Sequence, residues 1–354
     1  MKTVAVGMSG GVDSSVAALL LKQAGYQVIG LFMKNWEEKD ERGVCTSTSD
    51  YEDALAVCSK LGIPLFTLNF TKEYREEVFT SFLNDYKRGL TPNPDILCNS
   101  KIKFDHFFKK AKELGADMLA TGHYCQTDPE GHLLRAKDPN KDQSYFLCRV
   151  KSTALKEVLF PIGHLLKPQV RQIAVESGLP TFAKKESMGI CFIGKRRFTP
   201  FLEQYLGKNE GNFETPEGKV VGRHIGLPYY TIGQRQGLQI GGEGEAWFVA
   251  GKDIARNAVI VVQGAEHPAL YSLELTATDL SWVHDAPKLP VSCTAKIRYR
   301  TPDEPCFVLP NGQDGVKVVF EKPQRAITPG QAVVFYDQKF CLGCGTILAP
   351  KREL

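Results

Sequence analysis

Between Thr3 and about residue 200, short apolar runs alternate with stretches whose apolar residues recur at helical spacing. That pattern predicts a mostly parallel sheet covered by helices. Thr3–Gly7 reads as a strand, Ser14–Ala24 as a helix closed by Gly25, Tyr26–Met33 as a strand, Tyr51–Leu61 as a helix and Pro64–Phe70 as a third strand. In 100–114, Phe104, Phe107, Phe108, Ala111 and Leu114 form one apolar stripe, with Lys101, Lys109 and Lys112 falling away from it. A helix is expected there, followed by a strand at Asp117–Thr121 and by a helix that Pro168 opens and Gly178 and Pro180 end.

After about Tyr205 the pattern changes: Gly and Pro become dense, and short β-like runs recur at Trp247–Ala250, Ala258–Val262, Leu273–Thr278, Val291–Tyr299, Gly315–Phe320 and Ala332–Tyr336. Asn311-Gly312 is a hairpin signal between two of them. The expected architecture is α/β plus β: a mostly parallel α/β domain over 1–206, a small central β domain over 207–270, and a C-terminal β-barrel over 271–354.

Composition narrows the class. The 354 residues are 43% hydrophobic and 24% charged, which fits a globular chain and excludes a disordered or collagen-like one. Apolar runs such as Val16–Leu21 and Val259–Val262 fall far short of the ~18 residues a membrane span needs. With no secretory or transit pattern, a cytoplasmic location is expected and a membrane partner is not. Against 40 acidic residues stand 44 basic ones, so a net charge of +4 permits RNA binding without demanding it. Ten cysteines are too few for a disulfide framework in a chain this long and read as thiols, ligands or catalysts.

The strongest local signal is Gly7-Met-Ser-Gly-Gly-Val-Asp-Ser14, between the first strand and the first helix. Gly10 and Gly11 let the backbone approach a ligand, Ser9 and Ser14 supply hydroxyls, and the helix start favours an anion. The Lys of a Walker loop is missing, and Asp13 stands as a candidate Mg2+ ligand. A tight strand-to-helix turn of small residues is the plain structural alternative.

Further on, Leu90-Thr-Pro-Asn-Pro-Asp-Ile-Leu-Cys-Asn99 places Asp95 and Cys98 in one loop just before a helix, where a thiolate can be stabilised. A small buried hydrophobe is the alternative for Cys98 taken alone. Cys191 lies in Ser187-Met-Gly-Ile-Cys-Phe-Ile-Gly194, flanked by Lys184, Lys185, Lys195, Arg196 and Arg197. Such charge lowers a thiol pKa or holds phosphates, unless it is only a solvated face. In Val291–Arg300 strict alternation would put Thr294, Lys296, Arg298 and Arg300 on one strand face, a basic strip suited to RNA phosphates. Cys45, Cys58, Cys125 and Cys148 lack ligand spacing, and Cys341-Leu-Gly-Cys344 has no second pair to complete a zinc site, so no metal centre is expected from cysteine.

The Ser-Gly-Gly-x-Asp-Ser loop resembles the PP-loop of N-type ATP pyrophosphatases. Taken with Gly30–Trp36, Thr91–Asn99, Ala120-Thr-Gly-His-Tyr124, Asn140–Phe146, Gly189–Gly194, Thr231–Gly237, Arg298-Tyr-Arg300 and Thr328-Pro-Gly-Gln331, the whole chain resembles the bacterial tRNA-specific 2-thiouridylases. Cys344 and Met188 depart from that pattern.

This resemblance implies roles. Gly7, Met8, Ser9, Gly10, Gly11, Val12, Asp13, Ser14, Met33 and Gly122 would bind ATP with Mg2+. Asn93, Pro94 and Asp95 would meet the target base, Cys98 would be the nucleophile, and Cys191 would carry a persulfide. His123, Lys141, Asp142, Gln143, Arg298, Tyr299, Arg300 and Gln331 would contact tRNA.

The implied reaction is ATP-dependent 2-thiolation of wobble uridine 34 in tRNAs of the Lys, Glu and Gln type. A cysteine desulfurase or relay protein would supply the sulfur, and the order of the Cys98 and Cys191 steps stays open. A monomer is the default. Two rivals are an adenylating PP-loop enzyme for a small carboxylate or amide, and a non-catalytic tRNA- or nucleotide-binding module. Truncation near residue 205 is expected to cost tRNA affinity more than ATP affinity.

Overall fold

In the computed structural model, residues 1–36, 46–185 and 198–351 are described. Its first layer is a five-stranded parallel sheet in the order Leu65–Asn69, Gln27–Lys34, Thr3–Gly7, Met118–Ala120, Val158–Leu159. The chain reverses direction across the sheet between Thr3–Gly7 and Met118–Ala120, and the crevice beyond those two strand ends is where open α/β sheets bind ligands. Val4, Val6 and Ala120 are fully buried against one helical layer with Val16, Ala17 and Val170, while Ala5, Leu31 and Leu119 face the other. Burial on both faces is what a parallel sheet requires.

Helices Val12–Gln23, Thr46–Leu61 and Lys167–Glu176 lie close to their expected spans. The helix expected over 100–114 starts earlier, at Pro94, and carries a π-type stretch at Cys98–His106 before Phe107–Glu113. A helical run over 71–87, unforeseen in the sequence reading, buries Tyr74, Val78, Phe82 and Tyr86 at a four-residue spacing.

Beyond helix Phe198–Leu206, a four-stranded sheet runs in the order Trp247–Asp253, Ala258–Gln263, Gly211–Glu214, Val220–His224. Six further strands close a barrel: Tyr271–Trp282, Gly315–Arg325, Glu304–Asn311, Val291–Lys296, Ala332–Asp337 and Phe340–Lys351, the last pairing back to the first. Each of its neighbouring pairs is antiparallel. The Asn311–Gly315 hairpin forms as its turn residues predict.

Two strands of the N-terminal half, Gln126–Thr127 and Leu133–Leu134, extend the barrel sheet by pairing Leu133 and Leu134 with Cys341 and Phe340. One apolar core runs from Ala5 and Leu119 through Phe213 and Val249 to Val334 and Tyr336, so all three sheets share it.

Candidate active site

The first strand delivers its chain to the crevice at Met8, whose N–H donates to the Leu31 carbonyl at 2.8 Å. Met8 and Val12 bury their side chains, leaving their backbone to the loop. Gly10 has φ +71°, and a Cβ there would lie 2.2 Å from the Asp50 carbonyl oxygen, so only glycine fits. Ser14 Oγ donates to the Gly11 carbonyl at 3.1 Å and accepts from the Ser9 N–H at 3.2 Å, while Ser15 Oγ also reaches Gly11 O at 2.8 Å. These bonds wind the loop tightly over the helix start. Gly11 caps the helix with no side-chain bond, which leaves first-turn N–H groups for an anion.

Asp13, in that first turn, accepts from Lys167 Nζ at 2.6 Å and from the Tyr124 hydroxyl at 2.9 Å. Lys167 opens the Lys167–Glu176 helix; the sequence reading passed over it although it immediately precedes the helix-starting Pro168. Gly122 packs on the loop so closely that a Cβ would lie 2.7 Å from Ser14 N. Met33 is half-buried at the end of the second strand. The residues expected to bind ATP, other than Met33, thus form one unit with Tyr124 and Lys167.

Asp142 and Gln143, expected at the tRNA surface, face inward. Asp142 is buried and accepts from Ala136 N (3.1 Å), Ser144 N (3.2 Å) and Ser144 Oγ (3.0 Å), which fixes the turn. Gln143 exchanges bonds with Tyr124: its N–H donates to the Tyr124 carbonyl at 2.7 Å, and its Oε1 accepts from Tyr124 N at 2.9 Å. Their place in the structure is behind the Asp13–Tyr124 bond. Lys141 stays half-exposed.

The second cluster surrounds Cys98. Asn93 Oδ1 accepts from Asp95 N at 3.2 Å and caps the short Pro94–Leu97 helix, with Pro94 at its first turn. Burial pushes the Asp95 carboxyl up, and the Lys103 ammonium opposes that shift. Cys98 is 1% exposed, one turn into the helical run. Next to it, Asn99 Nδ2 donates to the Phe146 carbonyl at 3.1 Å, and the Phe146 ring stacks obliquely on Tyr299 at 4.4 Å. Tyr299 therefore reaches the Cys98 helix through one aromatic neighbour.

His123 Nδ1 lies 2.6 Å from Thr121 Oγ1, with Phe104 and Phe160 beside its ring. Burial and then Lys103 hold its pKa well below the usual value, so the imidazole is neutral. Lys103, unremarked in the sequence reading, is thus common to Asp95 and His123.

At the barrel, the expected strand strip is corrected. The strand stops at Lys296, and Ile297–Arg300 turn away from it. Arg298 does not share an outward face with Lys296: its Nη2 donates to the Ile232 carbonyl and to Thr328 Oγ1, both at 2.6 Å, joining the central domain to the barrel. Arg300 is exposed. Gln331 Nε2 donates to the Thr91 carbonyl at 2.6 Å, at the head of the Cys98 loop.

Cys191 and most of its basic flank lie outside the described residues, as does Cys45. Lys184, at the edge of that flank, is paired with Asp50 and Asp53. Burial pushes the Cys58 thiol up to about 11 and raises Cys125 well above its ordinary value, in keeping with packing roles.

A parallel sheet with a glycine–serine anion loop at its reversal point, wired to a buried cysteine loop and backed by a barrel, defines a nucleotide-using α/β enzyme with appended β domains. Residues 2–195 match the tRNA methyl transferase HUP domain, 199–263 the PRC-barrel domain of the same group, and 272–347 an aminomethyltransferase beta-barrel domain. The chain is 57% identical to a tRNA-specific 2-thiouridylase MnmA of Protochlamydia amoebophila, over 99% of this chain and 94% of that one. It is 57% identical to one of Geobacillus kaustophilus and 56% to one of Bacillus subtilis, each over 97% of this chain and 94% of the relative. The chain belongs to the tRNA-specific 2-thiouridylase family.

Proposed function

We propose that this protein is a tRNA-uridine 2-sulfurtransferase, acting on uridine 34 of tRNAs of the Lys, Glu and Gln type. The observation that carries the reading is the pairing of two sites in one fold: an anion loop with Asp13 and Lys167, and a capped loop holding Asp95 and Cys98. The first fits the phosphates of ATP, because glycine-only backbone, uncapped N–H groups and a carboxylate–ammonium pair supply donors and a cation ligand together. Asp13 would hold Mg2+, leaving Lys167 to turn toward a phosphate. ATP supplies the activation, making the uracil C2 oxygen a leaving group as AMP, with pyrophosphate released.

The rest falls to thiols. Cys191 would carry a persulfide received from a cysteine desulfurase or a relay protein. In one order, the Cys98 thiolate attacks the inner sulfur of that persulfide, and the hydrosulfide expelled adds to C2 as AMP leaves. In the other, the terminal persulfide sulfur attacks C2, and Cys98 then cleaves the S–S bond. Both orders end with 2-thiouridine and a Cys98–Cys191 disulfide, which an external dithiol reduces. A bound persulfide offers a far higher local sulfur concentration than free sulfide does.

Asp95, held protonated more readily than an exposed carboxyl, is suited to moving a proton at the base. His123, Lys141, Arg300 and Gln331 would face the tRNA, with Asp142, Gln143, Arg298 and Tyr299 supporting that surface from behind. No helix among the described residues is long and apolar enough to cross a membrane; a cytoplasmic monomer is part of the proposed reading. The test is pyrophosphate release: it should require both ATP and a uridine-34 tRNA, and in Cys191→Ser it should continue until the tRNA is adenylated. Pyrophosphate formed equally well without RNA would favour the small-molecule adenylating reading instead.

A further inference from the structure

The Cys98 loop hangs from a short hinge, 89–91, between the helical run over 71–87 and the Pro94–Leu97 helix. Three of the hinge's backbone groups are held from outside the α/β domain. Lys252 Nζ, on the central sheet, donates to the Gly89 carbonyl at 2.9 Å. The Thr91 N–H donates to the Pro329 carbonyl at 2.9 Å, and Gln331 Nε2 donates to the Thr91 carbonyl at 2.6 Å. The approach is close on both sides: a Cβ on Gly89 would lie 2.3 Å from Ile254 Cδ1, and one on Gly330 2.9 Å from Thr91 N.

Beside the hinge is a cavity of about 530 Å3, lined by Arg88, Leu90, Thr91, Lys252, Ile254 and Thr328 among others. Burial there lowers the Lys252 ammonium to about 8, and no carboxylate among the described residues pairs with it. Dehydrating an ammonium for one carbonyl is a poor way to gain stability, since an apolar side chain of the same length would bury without that penalty. What the lysine does supply is a directed, charge-assisted bond to one backbone atom.

We propose that Lys252 is a positioning residue for sulfur transfer, fixing the hinge that carries Asp95 and Cys98 from the central β domain. The role in turnover rests on the function proposed above; the hold on the hinge does not. The test compares full-length wild type with Lys252→Met, which removes the donor, and Lys252→Arg, which keeps it. Cys98 is 1% exposed, so iodoacetamide reaches it only when the loop opens.

In Lys252→Met the Cys98 alkylation rate should rise about tenfold, as expected for losing one charge-assisted bond. Cys58, equally buried but in the other helical layer of the sheet, should keep its rate, and Lys252→Arg should return Cys98 to within about threefold of wild type. With ATP and unmodified tRNA, kcat for 2-thiouridine should fall about tenfold while KM for ATP stays within about twofold. The proposal is overturned by unchanged Cys98 alkylation, by Cys98 and Cys58 accelerating together, or by a turnover loss confined to KM for tRNA. If Lys252→Met fails to fold, Gln331→Leu removes the second hold on the same hinge and is read by the same alkylation ratio. A wild type that makes no 2-thiouridine would defeat the proposed function, while the alkylation ratio would still decide the hinge.

Discussion

Asp95 and Cys98 sit three residues apart, and burial treats them differently from exposed side chains of their kind. The raised Asp95 carboxyl keeps its proton in the folded protein at pH values where the unfolded chain has lost it. Its contribution to stability is therefore present below the ordinary carboxylate range and falls as pH rises through the raised value. Asp95→Asn keeps a neutral group at every pH, so its Tm relative to wild type should improve by about a few degrees between about pH 4 and about pH 7. A pH-independent difference would mean that the carboxylate is fully compensated in the fold. At this scale the sequence displayed Asp13, Asp95 and Cys98 through turn residues and helix starts. It hid Lys167 and Lys252, because each gains its meaning from a partner far along the chain: Lys167 from Asp13, Lys252 from Gly89.

Strands and helices were most legible where the period was long and the punctuation strong, as at Thr3–Gly7 and Lys167–Glu176. The run over 71–87 escaped although Tyr74, Val78, Phe82 and Tyr86 mark a helical stripe, because Asn69, whose Oδ1 accepts the Thr71 N–H at 3.0 Å, falls inside the strand expected at Pro64–Phe70, and no glycine stop comes before Gly89. The strand expected at Val291–Tyr299 ended early because the Arg298 guanidinium is drawn to the Ile232 carbonyl, a contact between domains that alternation cannot register. Glycines at element junctions make the sharpest predictions. Gly122→Ala would drive a methyl into the Asp13–Ser14 backbone, so KM for ATP should rise at least about tenfold with the far-UV spectrum unchanged. Gly10→Ala, with both a positive φ and a 2.2 Å clash, should be worse in the same assay. ATP affinity unaffected by either change would remove this loop from the nucleotide site.

Across the whole molecule, the three expected domains are packed as one body. Their apolar core is continuous, and the hairpin over 126–134 is a structural part of the barrel sheet. Truncation near residue 205 would expose Leu133, Tyr145 and the core around Phe201, so it tests folding before it tests tRNA affinity. Scanning calorimetry of the full chain should accordingly show one dominant unfolding transition; separate transitions for the α/β and β parts would contradict the shared core. Composition and turn chemistry revealed the order of domains, whereas their mutual packing depends on contacts such as Arg298–Ile232 and Gln331–Thr91, which have no local signature.

In the proposed reaction this body serves one chemical event, the delivery of sulfur to a tRNA base through Cys98 and Cys191. Its most direct test is nucleoside mass spectrometry of unmodified tRNA incubated with the enzyme, Mg-ATP, cysteine, a cysteine desulfurase and its relay proteins. Wild type should yield 2-thiouridine at position 34, and Cys98→Ser and Cys191→Ser should each yield none while still binding tRNA. 2-Thiouridine formed at the wild-type rate by either variant would contradict the account.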